Sequence, residues 1–168
     1  MRQLILVTLS LFLFSSCGSD SDNPKKAANT DIVINELQPS NTTTATDPAG
    51  EYDDWIELYN TSSSAVDISG FFLTDNASNL TRWRIPNGTT IPGNGYLIIW
   101  ADADLNQDGL HADFKLTSTG EELLLLNAEV KIVDEVVFGA QIGEVSYSRQ
   151  PNGTGDFEWG IPSFNGEN

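Results

Sequence analysis

The stretch Asp102–Gly109 (DADLNQDG) carries oxygen-bearing side chains at alternate positions and ends in glycine. Calcium is a hard cation that takes several oxygen ligands, and alternate residues of a loop can curl around it. Read from Asp104, the stretch corresponds to the opening half of a calcium loop, but Lys115 stands where the closing bidentate glutamate is expected. Two interpretations stay open, a calcium site and an acidic, solvated loop between strands. The candidate calcium ligands are Asp102, Asp104, Asn106, Asp108, the carbonyl of Leu110, and Asp113.

His111 is the only histidine of the chain and directly follows this loop. A histidine next to a carboxylate can act as a general base. No serine or cysteine nucleophile motif accompanies it, and no second histidine could complete a zinc site. We therefore expect His111 to hold the loop in place through a hydrogen bond.

A second acidic group consists of Glu36, Asp53, Asp54 and Glu57, provided that the first two predicted strands pair. Carboxylates placed together can catalyse hydrolysis, bind a cation or lie on a solvated face. A small hydrolase using Glu36, Asp54, Glu57 or His111 would need a concave pocket with perturbed carboxylates. We predict no catalytic residue. The candidate binding residues are Asp54, Trp55, Glu57 and His111.

The composition is strongly acidic, with 24 acidic and 8 basic residues and a formal net charge of −16 over 168 residues. Such a surface repels nucleic acid and anionic lipid head groups, because binding to either requires a basic footprint. It would attract cations, basic proteins or neutral glycans, although dispersed acidic charge also simply confers solubility. Cys17 is the only cysteine, so the chain has no internal disulfide.

The N-terminus has the layout of a secretory signal peptide, with Arg2, a short apolar run and small residues before Cys17. Ser15-Ser16-Cys17 resembles a bacterial lipoprotein box, which implies cleavage after residue 16 and acylation of Cys17. The alternative is a plain cleaved signal with Cys17 a bystander. Residues 17–29 are polar and predict a flexible tether.

The acidic residues close behind Cys17 resemble the pattern that accompanies surface export in the Bacteroidetes, with an ordinary disordered leader as the alternative. Together these features predict an outer-membrane lipoprotein, on the periplasmic or the cell-surface face, held by its lipid anchor.

Residues 30–168 predict a single all-β domain, because short apolar runs alternate with Gly, Pro, Asn and Asp and no helical periodicity is sustained. We predict an immunoglobulin-like antiparallel β-sandwich with Greek-key connections. The predicted strands are Ile32–Leu37, Trp55–Tyr59, Ala65–Thr74, Thr81–Ile85, Gly95–Trp100, Phe114–Leu116, Glu122–Asn127, Lys131–Phe138, Val145–Arg149 and Phe157–Gly160.

The second predicted strand alternates, so that Ile56 and Leu58 face one side while Trp55, Glu57 and Tyr59 face the other. Residues 96–100 and 123–126 are apolar on both faces, although a sandwich strand needs only one buried face. We expect loops of the same chain to cover the second face. A neighbouring strand or a partner is the alternative.

From about Ile32 to the C-terminus the sequence resembles a bacterial lamin-tail domain, an immunoglobulin-like sandwich. The segments that carry the resemblance are INEL (34–37), DDWIELYN (53–60), VDISG (66–70), LTD (73–75), IPGNGYL (91–97), WAD (100–102), HADFKL (111–116), GE (120–121), VFG (137–139) and SR (148–149) before PNG (151–153). The resemblance implies a binding role and no catalytic activity.

We therefore expect a non-catalytic envelope lipoprotein whose domain is an interaction or scaffold module, with an envelope protein or a glycan as its partner. A calcium-dependent glycan-binding or adhesion module is the alternative, and a small carboxylate-based hydrolase is a less favoured one. The lamin-tail resemblance does not carry the calcium prediction, which comes from the Asp102–Gly109 stretch alone.

Overall fold

A computed structural model of the chain describes residues 31–141 and 143–168. The predicted signal peptide (1–16), the acylation site Cys17 and the tether (17–29) lie outside the described residues. Every regular element in the described part is a β-strand. That part contains no helix with the length and hydropathy needed to cross a membrane.

Twelve strands form three sheets. In chain order they are β1 (Ile32–Gln38), β2 (Trp55–Asn60), β3 (Val66–Asp67), β4 (Phe72–Thr74), β5 (Trp83–Arg84), β6 (Thr90–Ile91), β7 (Tyr96–Ala101), β8 (His111–Ala112), β9 (Glu121–Leu126), β10 (Ile132–Phe138), β11 (Ser146–Gln150) and β12 (Asp156–Gly160). The six-stranded sheet has the order β12-β11-β1-β2-β7-β8, the four-stranded sheet β10-β9-β4-β5, and β3 pairs with β6.

The sheets bury a common apolar core between them. Ile34, Ile56 and Leu58 of the six-stranded sheet belong to the same buried cluster as Leu73 and Leu125 of the four-stranded sheet. Strands distant in sequence become neighbours, as β2 does with β7 and β4 with β9, which is the connectivity expected of Greek keys. The all-β, immunoglobulin-like sandwich is therefore confirmed, and the predicted alternation of Ile56 and Leu58 toward the core is found.

The strand predictions were wrong at three places. The predicted strand Ala65–Thr74 is two strands, because a turn with Gly70 at φ 79° interrupts it. Phe114–Leu116 is not a strand, although Phe114 and Leu116 are buried, because Lys115 forms only an isolated bridge. His111–Ala112 instead pairs with β7, in parallel, and the short β6 was not predicted.

Residues 161–168, called the C-terminal segment below, cover part of the outer face of the six-stranded sheet, over β1, β2 and β7. Phe164 packs edge-on against Trp55, with ring centroids 5.1 Å apart, and lies 5.7 Å from Trp100. The expectation that a loop of the same chain covers the second apolar face of β7 is confirmed at Trp100.

One ion pair joins the two sheets across a break in the β1 ladder, where the register shifts between Ile34 and Glu36. Asp134 on β10 accepts the Ile34 N–H at 2.9 Å, and Arg149 donates from Nε to the Ile34 carbonyl at 2.9 Å. Arg149 also contacts both carboxylate oxygens of Asp134, at 3.0 and 2.9 Å, and donates to the Gly155 carbonyl. The pair thus gives partners to the backbone groups of Ile34, which the registered pairing of β1 with β11, at Glu36 and Leu37, does not reach.

Candidate functional site

His111 and Asp102 form a buried pair at one end of the six-stranded sheet. Their side chains approach to 2.6 Å between Nδ1 and Oδ2, while Nε2 lies 3.0 Å from the carbonyl oxygen of Asp108. Both residues are almost fully buried. The hydrogen bond that we expected from His111 to the acidic loop is therefore present in the structure.

The strand pairing positions this pair. Asp102 directly follows β7 and His111 begins β8, and the two strands run in parallel, with Trp100 opposite His111. The intervening loop must therefore return along the sheet edge. Gly109 makes that return at φ 116°, and a Cβ there would lie 3.2 Å from the His111 Nε2 atom. Because L-residues rarely adopt this conformation, the glycine fixes the close approach of loop and imidazole.

The long polar loop between β1 and β2 brings further carboxylates to the same end. Asp47 is 4% exposed, accepts the Glu51 N–H on Oδ1 at 2.7 Å, and donates its own N–H to the Glu51 carbonyl. The buried Asn41 holds the base of the loop, because its amide donates to the carbonyls of Ala45 and Asp53. These contacts order a loop that its length alone would leave mobile.

Two groups of potential ligand atoms meet at Asp47, and we call their five residues the Asp47 cluster. In one group, atoms of Asp47, Asp102 and His111 lie within 4.8 Å of one another. In the other, atoms of Asp47, Glu51 and Asp53 do so. The pairing of β2 with β7 makes this possible, because it places Trp55 opposite Trp100 and so brings the residues flanking both strands together.

Several negatively charged carboxylates lie close together in the Asp47 cluster. The pKa of Asp53 is raised by burial and, next in size, by the charges of Asp102, Asp47 and Glu51. Burial disfavours the imidazolium of His111, but the hydrogen bonds to Asp102 and to the Asp108 carbonyl raise its pKa overall. Both ring nitrogens of His111 are engaged by protein oxygens, one of Asp102 and one of the Asp108 carbonyl, so neither nitrogen is free for a metal.

The residues of the predicted calcium loop are spread out. Asp104 donates its N–H to Asp102 and accepts the Asn106 N–H, as in successive Asx turns. Asp108 is exposed and contributes its carbonyl to His111, while Asp113 faces Arg82 at 3.5 Å. Apart from Asp102, the carboxylates of this set are absent from both groups found in the described part of the chain. Metal binding by Asp102, Asp104, Asn106, Asp108, Leu110 and Asp113 stays a prediction.

The second acidic group lies on another face of the molecule. Glu36 and Glu57 are 0% exposed beneath the C-terminal segment. Glu36 accepts hydrogen bonds from Ser163 and Ser146, and Glu57 accepts from Asn35 at 2.8 Å and from the Asn165 N–H at 2.7 Å. Burial raises the pKa of Glu57 to about 7. The hydrogen bond from Asn35 lowers this pKa, and the charge of Glu36 raises it.

The candidate binding residues do not form one surface. Trp55 is 0% exposed, and its indole N–H donates to Gln38 at 2.9 Å. Trp55 and Glu57 lie under the C-terminal segment, and His111 lies in the Asp47 cluster. Asp54 is partly buried, and burial raises its pKa to about 6 despite a hydrogen bond from the backbone of Leu116. Direct contact of Trp55 and Glu57 with a partner would require displacement of the segment, and a binding role for the four stays a prediction.

The structure has a small cavity next to His111, with a volume of about 160 Å³. Its lining includes Trp83, Leu105 and Leu110, but not Glu36, Asp54 or Glu57. Ligand pockets usually measure about 300–1,000 Å³. The carboxylates considered for hydrolysis therefore do not line this cavity, which is also small for a substrate.

The sequence analysis missed Asp47 and Glu51. Their signal was the spacing Asp47-x-x-x-Glu51-x-Asp53 in a long loop directly before a strand. The predicted pairing of the first two strands groups Asp53 with Glu36, Asp54 and Glu57, whereas a contact between two loops leaves no pattern in the sequence.

The fold and site together define an immunoglobulin-like β-sandwich with an ordered acidic loop cluster at one end. Residues 25–140, more than half of the chain, match the family model described as Lamin Tail Domain, so the chain belongs to the lamin-tail-domain family. Strands β11 and β12 follow the matched range and extend the six-stranded sheet beyond β1. A comparison with curated proteins finds no match. Such a domain suggests a protein-interaction module, and its fold is typically non-catalytic.

Proposed function

We propose that this protein is a non-catalytic envelope lipoprotein whose lamin-tail domain binds another envelope protein through the free edge of β12. The observation that carries the proposal is a pair of exposed apolar side chains at the end of β12, namely Trp159 on the strand, 37% exposed, and Ile161 directly after it, 91% exposed. Large exposed aromatic and aliphatic groups mark interaction surfaces when they lie together.

The edge of β12 is suited to a polypeptide partner. In the described residues β12 pairs only with β11, so its other edge presents backbone N–H and C=O groups that an added strand can use. The ring of Tyr147 stacks on that of Phe157, with centroids 5.2 Å apart, and lies 4.7 Å from that of Trp159. These contacts order the three aromatic side chains before a partner binds. Asp156 and Glu158 are exposed on the same strand and favour a partner with basic side chains.

Site-specific photo-crosslinking in cells tests this proposal. A photoreactive residue at position 159 should give a discrete crosslinked product, and one at position 137 should not. Val137 is the matched control, because it is an apolar side chain, 72% exposed, on the edge strand of the other sheet. Equal crosslinking at both positions, or none at position 159, would refute the proposed surface.

The lipid anchor is tested separately. Cys17→Ser should abolish labelling by a radioactive fatty acid and move the protein from the membrane fraction to the soluble fraction. Protease treatment of intact cells then distinguishes the cell-surface face from the periplasmic face. Membrane retention of the Cys17→Ser protein would contradict acylation at this position.

The second candidate function is calcium-dependent glycan binding. Tyr52, between Glu51 and Asp53, is 51% exposed and provides an aromatic surface on which a sugar ring can stack. Binding to a glycan array with calcium, lost with chelator and lost in Tyr52→Ala, would favour this function. Binding that is unaffected by either change would oppose it.

A further inference from the structure

We propose that Asp47, Glu51 and Asp53 bind a calcium ion in the loop that precedes β2. This site differs from the loop at residues 102–113 that the sequence pattern suggested. It is also independent of the proposed interaction through β12, at the edge of the six-stranded sheet opposite β8.

The geometry fits an ion without rebuilding of the loop. One carboxylate oxygen from each of the three residues lies within 4.8 Å of the other two. Calcium–oxygen distances are about 2.3–2.6 Å, so two ligands of one ion lie up to about 5 Å apart. The three oxygens are therefore already spaced as ligands of a common ion, and carbonyl groups or water would complete the shell.

Two buried oxygens in this group have no hydrogen-bond partner. Oδ1 of Asp47 is used by the Glu51 N–H, but Oδ2 is buried and accepts nothing. Oδ2 of Asp53 is likewise buried and accepts no hydrogen bond. A buried carboxylate oxygen without a donor carries an uncompensated desolvation cost, and few such atoms persist in folded proteins. A cation between the carboxylates would satisfy both oxygens.

The negative charge of Asp47, Glu51 and Asp53 also favours the binding of a cation. The ion pairs found in residues 31–141 and 143–168 use other carboxylates, namely Asp75, Asp102, Asp113 and Asp134. His111 pairs with Asp102, and the charge of Lys115 offsets only part of the repulsion that Asp53 experiences from Asp102, Asp47 and Glu51. Like charges held close in a partly buried loop repel one another, and a divalent ion converts this repulsion into attraction.

The ligand chemistry selects calcium. All the available atoms are hard oxygens, and the nearby imidazole has both nitrogens engaged with Asp102 and the Asp108 carbonyl, so softer transition metals lack a nitrogen or sulfur ligand. Magnesium demands near-ideal octahedral geometry, whereas calcium accepts irregular oxygen shells of the kind that a long loop offers.

The test is thermal unfolding and titration calorimetry of the full chain in detergent, first with chelator and then with calcium or magnesium. Calcium should raise the unfolding midpoint, and calorimetry should report a single site. Asp53→Asn should weaken calcium binding by about tenfold or more, since it removes one charged ligand. Its midpoint in chelator should equal or exceed that of the unmodified protein, because the repulsion is relieved.

The matched control is the double variant Asp104→Asn/Asp108→Asn, which removes two carboxylates of the neighbouring loop and should keep the calcium response. A response lost in this double variant but kept in Asp53→Asn would assign calcium to the loop at 102–113 and overturn the proposal. An unchanged midpoint with calcium would overturn it as well, and an equal response to magnesium would overturn the choice of ion. The chelator midpoint of Asp53→Asn separates lost binding from failure to fold.

Discussion

Replacement of Glu57 by glutamine should change the pH dependence of stability, because this carboxyl group is buried beneath the C-terminal segment. Its pKa is about 7 in the folded protein against an ordinary 4.5. Between these values the folded state holds the proton and the unfolded state releases it, so the stability contributed by the protonated group is fully present below pH 4.5 and is lost as the pH rises through 7.

The magnitude follows from the difference in pKa. At about 1.36 kcal/mol per pKa unit, ionisation of Glu57 costs the folded protein about 3 kcal/mol once the pH exceeds 7. Glutamine mimics the protonated acid and does not ionise. The unfolding free energy of Glu57→Gln, relative to that of the unmodified protein, should therefore rise by about 2–3 kcal/mol between pH 5 and pH 8.

Urea unfolding followed by tryptophan fluorescence at a series of pH values measures this difference. Asp54, whose pKa is about 6, titrates in both proteins and so cancels from the comparison. Glu135→Gln, an exposed carboxylate on β10, is the matched control and should leave the profile parallel to that of the unmodified protein. Parallel profiles for Glu57→Gln would refute the conclusion that burial holds the proton on this group.

Three further substitutions test the packing. Arg149→Lys should lower the free energy of unfolding by about 2–4 kcal/mol, because lysine cannot reproduce the forked contacts to Asp134 and two carbonyls, as measured by urea unfolding. Phe164→Ala should cost about 1–2 kcal/mol and expose the tryptophans beneath it to an aqueous fluorescence quencher. Gly93→Ala should lower the thermal midpoint strongly, because its Cβ would lie 2.2 Å from backbone atoms of Ser63.

The substitutions of Arg149 and Gly93 each have a matched control. Arg84→Lys, on an exposed strand position, should stay within about 0.5 kcal/mol of the unmodified protein. Gly139→Ala should be nearly neutral, because no atom lies within 4 Å of the added Cβ. Unchanged quenching in Phe164→Ala would show that the C-terminal segment does not shield the sheet face in solution. Equal midpoints for Gly93→Ala and Gly139→Ala would contradict the close approach at Ser63.

The strand pattern was largely predictable because alternation is a local property. Ile56 and Leu58 face the core as their spacing indicated, since successive side chains of a strand must point to opposite faces. The failures at Ala65–Thr74 and Phe114–Leu116 have a common cause. An apolar side chain can be buried by the core without its backbone joining a ladder, and sequence patterns report the burial rather than the ladder.

The candidate site was only partly predictable. Asp102 and His111 were both singled out, but the carboxylates that join them come from the loop before β2, more than 45 residues earlier in the chain. The Asp104-x-Asn106-x-Asp108 spacing is a local motif that can be read from the sequence, whereas the approach of Asp47 to Asp102 is a contact between loops and leaves no such pattern. The packing of the C-terminal segment on the sheet was also not predictable, since no local sequence pattern around Phe164 indicates that this residue packs on Trp55 and Trp100.

The sequence alone determined the fold family and the acidity of the protein, because alternation, turn residues and net charge are properties of the chain itself. Only the tertiary structure decided which carboxylates lie together in the Asp47 cluster and which are buried beneath the C-terminal segment. The pairing of β2 with β7 brings Asp47 to Asp102, and the C-terminal segment removes Glu57 from water. Desolvation and charge repulsion depend on distance and burial in space, and both are set by contacts between residues far apart in the sequence.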